Sequence, residues 1–438
     1  MILIQNAQLV TSTGVQPADV LINGEKIVSV APPTSNLQSP ISNLEIIDAT
    51  GLLLFPGLID VHTHMRQPGG EQKEDFYTGT CAALAGGVTS IFAMPNTSPA
   101  LVDRATLEMG LQLAQQNAVC DYGIFLGATN TNQRVKAENP DLRECGLKMY
   151  MGSSTGDLLV QDFEPQYEHF LHYPHERVIA VHAEHEPAVR YFGQHGERRP
   201  IIAAEVEVAR AVAMAEKVNR RVHVCHVSCR REVEIIRDAK ARGVPVTCEV
   251  APHYLFLTHA YEAGDSHDEK ALQPTALYQM NPPLREDDDR DTLWANLDVA
   301  DCIATDHAPH TLAEKQSARP PSGVPGLETM LPLLLTAVHE GRLALSDVAR
   351  LCCEGPAAVY GIEAKGKIAP GFDADLTLVA PDEEWVIGER PIFSKCGWTP
   401  FAGWRVRGAV KRVFVRGRLA LADERVIATH GSGRMIEN

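Results

Sequence analysis

The stretch Asp60-Val61-His62-Thr63-His64-Met65-Arg66 follows the apolar run Leu52 to Ile59. That run reads as a buried strand. Strand side chains alternate with period two, so His62 and His64 project to the same side at its C-terminal end, close enough to share one metal ion. Arg66 continues the register and sets a fixed cation beside such an ion, which suits an anionic substrate. Two histidines at a strand end serve as scaffold as readily as they serve as ligands. The rest of the chain must decide between the two.

Stepping outward from this stretch, residues 52 to about 361 alternate β-rich runs with helical ones. Candidate strands end at His64, Pro95, Ala128, Tyr150, Ala183, Val227, Val250 and Asp306. Between them, segments such as Asp75 to Leu84, Ala105 to Asn117, Ala203 to Val218 and Arg231 to Ala241 carry apolar residues at three-to-four spacing. About eight such alternations predict an α/β fold, a parallel (β/α)8 barrel. No GxGxxG follows the first strand, so an open doubly wound sheet lacks support.

The chain ends differ from this middle. Residues 1–50 carry short hairpin-like strands with an Asn23-Gly24 turn, and residues 366–438 repeat that character. The two are expected to pair as a small β-sandwich beside a barrel spanning 51–365. Ser35 to Ser42 reads as a polar loop.

Barrels of this type carry reactive groups at the C-terminal ends of their strands. There the sequence places His62 and His64, Lys148, His182, His226 and Asp306. Four imidazoles and a carboxylate have the composition of a zinc site, with more ligands than one tetrahedral ion needs. Two ions roughly 3.5–4 Å apart would use them all. His253 reads as a supporting residue, His223, Glu184 and Asp103 as structural, and His169, His172 and His175 as solvated.

The 438 residues are 45% hydrophobic and 22% charged, ordinary for a globular protein. A net charge of −16 argues against nucleic acid and anionic membranes as partners. It leaves room for a small anion, because a local arginine and a metal reverse the field inside a cleft. The N-terminus lacks the pattern of a signal peptide, no apolar stretch reaches the ~20 residues of a membrane span, and the ten scattered cysteines include no CxxC. A cytoplasmic protein with reduced thiols is expected.

Asp60 to Gly69, Ala93-Met94-Pro95-Asn96-Thr97, Asn281-Pro282-Pro283-Leu284-Arg285, Ala304 to His310 and Gly326-Leu327-Glu328-Thr329 together resemble the amidohydrolase superfamily and, within it, the dihydroorotase family, over nearly the whole length. The resemblance implies that His62, His64 and Asp306 bind one zinc, that His182 and His226 bind a second, and that Lys148 bridges both. An ammonium has no lone pair, so the bridge implies a lysine carboxylated by carbon dioxide. The implied reaction is the reversible cyclisation of N-carbamoyl-L-aspartate to L-dihydroorotate in pyrimidine biosynthesis. A hydroxide between the ions would attack the ring, and Asp306 would move the proton.

Arg66 would clamp the substrate carboxylate, joined on the resemblance by Asn96 and His310, with Asn281, Pro325 and Gly326 as further substrate contacts. Ser153 to Asp157 and Thr311 to Pro325 are candidate closing loops. Gln67 stands where the family often has Glu. Two other readings compete: a hydantoinase or allantoinase with the same metal chemistry, and a homologue without metals that serves only in assembly. Self-association or pairing with aspartate transcarbamoylase is implied by the resemblance alone.

Overall fold

The computed structural model describes residues 1–33, 44–154, 156–264 and 273–437. The polar loop expected at Ser35 to Ser42 lies outside the described residues. Eight parallel strand positions form the central barrel. Leu58–Thr63, Val88–Ala93 and Asp121–Ile124 run side by side, and the chain continues through Leu126–Gly127 to Leu147–Tyr150, Ile179–His182, Val222–Val224, Val246–Val250 and Cys302–Ile303. A parallel bridge between Thr63 and His307 closes the ring, reinforced by the His64 amide donating to His307 O at 2.7 Å.

The helices between strands start and pack as their sequences dictate. Asp75 and Asp103 cap Phe76–Ala85 and Arg104–Asn117 by accepting from the amides of Thr78 and Thr106, each in a capping box. Asp103 is therefore structural. Ile201–Val218 buries Ala204, Val208, Ala211, Val212 and Ala215, one stripe of an amphipathic helix. The floor of the barrel is a plug in which Tyr360 packs edge-on against Phe92 and Phe125, 5.0 and 5.7 Å between ring centroids.

Strands from both chain ends pair in one nine-stranded sheet. Leu376–Val386 runs antiparallel to both Leu53–Pro56 and Arg405–Val415. Ile4, Leu9, Val20, Ile22, Leu54, Leu376, Leu378 and Phe414 give this layer a core of its own. At the expected turn Gly24 has φ +60 between the paired Asn23 and Lys26.

The run Leu52 to Ile59 is two strands, because Leu53–Pro56 belongs to the outer sheet and only Leu58–Thr63 enters the barrel. The break falls at Gly57, whose amide donates to Asp375 O and where a Cβ would meet Thr89 Oγ1 at 2.2 Å. The chain crosses between layers at a point too tight for any side chain.

Candidate metal centre and anion cleft

The first strand delivers His62 and His64 on one side of its end, and the last strand delivers Asp306. Asp306 Oδ1 lies 3.2 Å from His62 Nε2 and 3.0 Å from His64 Nε2. Across from this trio, His182 Nδ1 lies 2.9 Å from His226 Nε2. Two nitrogens bound to one tetrahedral zinc at about 2.0–2.1 Å would sit about 3.3 Å apart, so this pair converges as ligands do. The His62 ring joins the groups, its centroid 5.5 Å from that of His64 and 5.4 Å from that of His226.

Lys148 is fully buried among these rings, and its positive charge opposes protonation of His62, His182 and His226. Its Nζ donates to Cys225 Sγ at 3.0 Å and lies 5.1 Å from the Tyr150 ring centre. Among the described residues no carboxylate pairs with it. A buried ammonium without a counter-ion is costly.

Electrostatics point the same way. Burial holds His64 at about 4, against the pull of Asp306, and burial likewise lowers His182 and, further, His226. These rings are neutral, with lone pairs to give. His62 is the exception. Burial and Lys148 oppose its protonation, but Glu249 and Asp306 lift it to about 10, so two carboxylates demand positive charge at this point. Burial would raise Asp306, yet the positive charge of His62 beside it holds it well below the usual carboxylate range. His62, His64 and Asp306 together could hold a metal ion.

Beside Asp306 opens a small cleft lined by His64, Arg66, Asn96, Ser154, Asn281 and Ser322, among others. Arg66 is buried, and burial lowers it to about 10, so it remains a cation. Its Nε donates to Pro309 O at 3.0 Å, and its Nη2 lies 3.2 Å from His310 Nε2. Asn96 Oδ1 accepts from His64 Nδ1 at 2.7 Å. Asn281 Oδ1 accepts from Arg198 at 2.9 Å at the rim. Arg66, His226 and Asp306 adopt φ of +57, +39 and +47, a left-handed conformation that side chains enter at a cost and that clusters at functional sites.

Pro325 and Gly326 are not brought to this cleft. They line a separate, mainly apolar cavity with His307, Leu331, Trp385 and Phe393, where the Gly326 amide donates to His307 Nδ1 at 3.2 Å. His169 also departs from expectation. It is 1% exposed, and its Nε2 donates to Thr129 O at 2.8 Å, because the inner face of Phe163–His172 turns it inward. His175 is exposed and His172 partly so. The Gln67 side chain accepts from the Phe76 amide at 3.2 Å and so caps a helix instead of forming an ion pair.

Several supporting residues escaped sequence reasoning. Glu249 accepts from His62 Nδ1, from His223 Nε2 at 3.0 Å and from the His226 amide at 3.2 Å. Asp60 accepts from the His62 amide and from the Thr305 amide, 3.1 Å each. Both are acids inside apolar strand runs, which was the available signal. Glu184, read as structural, lies with Oε2 3.0 Å from His182 Nε2 and pairs with Arg199. His253 is buried near the centre, and burial holds it at about 4.

The amidohydrolase family profile matches residues 53–420, and this chain belongs to that family. Its relatives narrow the comparison. It is 38% identical to a dihydroorotase of Pyrococcus abyssi, over 88% of each chain. It is 39% identical to the multifunctional protein CAD of Squalus acanthias over 95% of its own length, and it spans 17% of that protein. Among solved structures, the L-hydantoinase (dihydropyrimidinase) of Arthrobacter aurescens superposes with a TM-score of 0.90 at 27% identity, covering 100% of this chain and 99% of that one.

Proposed function

We propose that this chain is a dihydroorotase, a hydrolase of cyclic amide bonds that interconverts N-carbamoyl-L-aspartate and L-dihydroorotate in pyrimidine biosynthesis. The observation that carries the reading is Arg66. It is a buried guanidinium at the edge of the metal cluster, facing a cleft, and among the described residues no carboxylate lies within ion-pair distance of it. A cation so placed calls for a carboxylate on the ligand. Dihydroorotate has one, whereas hydantoin and allantoin rings do not. The dihydroorotase relatives, at 33–39% identity alongside CAD, favour the same substrate.

His62, His64 and Asp306 would hold one zinc, His182 and His226 a second, and a carboxylated Lys148 would lie between them. Two such ions, when bound, would supply a nucleophilic water at neutral pH and polarise the amide carbonyl. This chain's own residues do the rest. Asp306, kept ionised, accepts a proton at a carboxylate oxygen during hydrolysis and returns it to the leaving ring nitrogen. In ring closure the same carboxylate takes the proton from the carbamoyl nitrogen. Arg66 binds the substrate carboxylate, with Asn96 and Asn281 on the cleft wall and His310 beneath.

The hydantoinase reading rests on fold likeness and leaves Arg66 without a purpose. The assembly-only reading is disfavoured because every donor position is filled. The test is conversion of N-carbamoyl-L-aspartate by zinc-replete protein, with hydantoin and allantoin run in parallel. Turnover of the carbamoyl-aspartate pair alone is expected. Turnover of only the uncharged rings would remove the anion clamp from the reading.

A further inference from the structure

One buried ring behind the cleft wall has neighbours with contradictory demands. His310 Nε2 lies 3.2 Å from Arg66 Nη2, which only donates, and 3.1 Å from Ser322 O, which only accepts. A single nitrogen cannot answer both. The other nitrogen decides the matter, because His310 Nδ1 faces Lys73 Nζ at 3.4 Å and an ammonium has no lone pair. Glu314 holds that ammonium in place through Oε1 at 2.9 Å. Its second oxygen accepts from Thr311 N and Oγ1, and stands 3.8 Å from Nδ1, beyond hydrogen-bond reach. The ring is fully buried, and burial, with the charges of Arg66, Lys73 and Lys315, pushes it down to about 2. It is a neutral imidazole with one proton to place.

We propose that Lys73 is a positioning residue of the anion cleft, fixing His310 as the tautomer protonated at Nε2 and leaving the facing Arg66 N–H free for a substrate carboxylate. The opposite tautomer would set Nδ1–H against the ammonium and would let Nε2 accept from Arg66, tying up the donor the cleft needs. The next residue treats the next ring alike: Glu74 Oε2 lies 3.3 Å from His307 Nε2, while His307 Nδ1 accepts from the Gly326 amide. Consecutive residues of opposite charge thus impose one tautomer on two rings. The inference deepens the carboxylate-binding role given to this cleft above and depends on it for its purpose, though not for its measurement.

The test is nitrogen NMR on protein labelled with 15N-histidine, the His310 signals being assigned by their loss in His310→Gln. The native protein should show Nε2 protonated. Lys73→Met should mix the two tautomers and raise KM for N-carbamoyl-L-aspartate about tenfold, with kcat changed less than about twofold. Lys73→Arg keeps a donor against Nδ1 and should restore both. An Nδ1-protonated ring in the native protein, or an unaltered Nε2–H in Lys73→Met, would overturn the inference. The spectra require no turnover. A Lys73-dependent tautomer in a protein inactive on dihydroorotate supports the inference and sinks the substrate reading, and a Lys73-independent tautomer in an active enzyme does the reverse.

Discussion

Glu249 grips the Nδ1 edge of His62, and this leaves Nε2 as the nitrogen that ring turns toward Asp306. The same carboxylate accepts from His223 and from the His226 amide, so it ties both halves of the metal centre to one strand. A carboxylate behind a ligating histidine orients the ring and raises its basicity. Glu249→Ala should therefore weaken zinc binding about 10–100-fold, read by competition with a chelator, while Glu249→Gln should lose less because an acceptor oxygen remains.

Arg66 separates binding from chemistry. Arg66→Ala should raise KM for dihydroorotate by about 100-fold or more, the cost of a lost charge-assisted pair, with metal content unchanged. Arg66→Lys should recover little, since a point charge cannot reproduce a planar fork. Steady-state kinetics with parallel metal analysis checks both.

Lys148 should carry carbon dioxide. In protein exchanged into 13C-bicarbonate, a carbamate carbon signal is expected and should vanish in Lys148→Ala. That variant should also retain less than about half the native metal after desalting, because the bridge contributes to both sites.

At the rim, Arg198 joins elements distant in sequence: its Nη2 lies within 2.9–3.0 Å of Met280 O, Asn281 Oδ1 and Ser322 Oγ, which share its two N–H donors. Two of these residues line the cleft. Arg198→Ala should raise KM several-fold while lowering Tm by only about 1–2 °C, since the side chain is partly exposed. A loss confined to Tm would make Arg198 purely structural.

His169 predicts a pH dependence of stability away from the site. Burial holds it at about 4, against the hydrogen bond to Thr129 O that favours its charged form. The unfolded chain protonates this histidine near pH 6.5, so between about 6.5 and 4 the unfolded state binds more protons and stability falls as pH falls. From pH 6.5 to 5 the loss is on the order of 2 kcal/mol. Denaturant titrations at both pH values should show it, and His169→Gln, which keeps a donor for Thr129 O, should flatten that part of the profile.

The strand ends were legible because period-two alternation and apolar runs put His62, His64, Lys148, His182, His226 and Asp306 at the same rim of a repeating unit. Packing between layers was not. Nothing local announces that Gly57 divides an unbroken apolar run between two sheets, since that depends on Thr89 and Asp375 lying beside it. Glu249 could be seen as an acid in a strand, but its partner on the first strand comes only from barrel closure. Lys73 and Arg198 act through loops whose paths no periodicity encodes. Pro325 and Gly326 stand two and three residues beyond Gly323, a cleft residue, yet the chain has already turned behind His307.

The bridge between Thr63 and His307, where the first and last strands meet, has a consequence for how the protein reaches its working state. His62 and Asp306 come from opposite ends of the barrel sequence, so the metal trio cannot assemble until the ring has closed. Such long-range pairing is slow, because loop entropy is lost before the contact is gained. Metal capture would therefore report completion of folding, and a metal ion bound only by the finished barrel would stabilise it by mass action. Refolding followed by zinc uptake should lag refolding followed by helix formation, and excess zinc should slow unfolding.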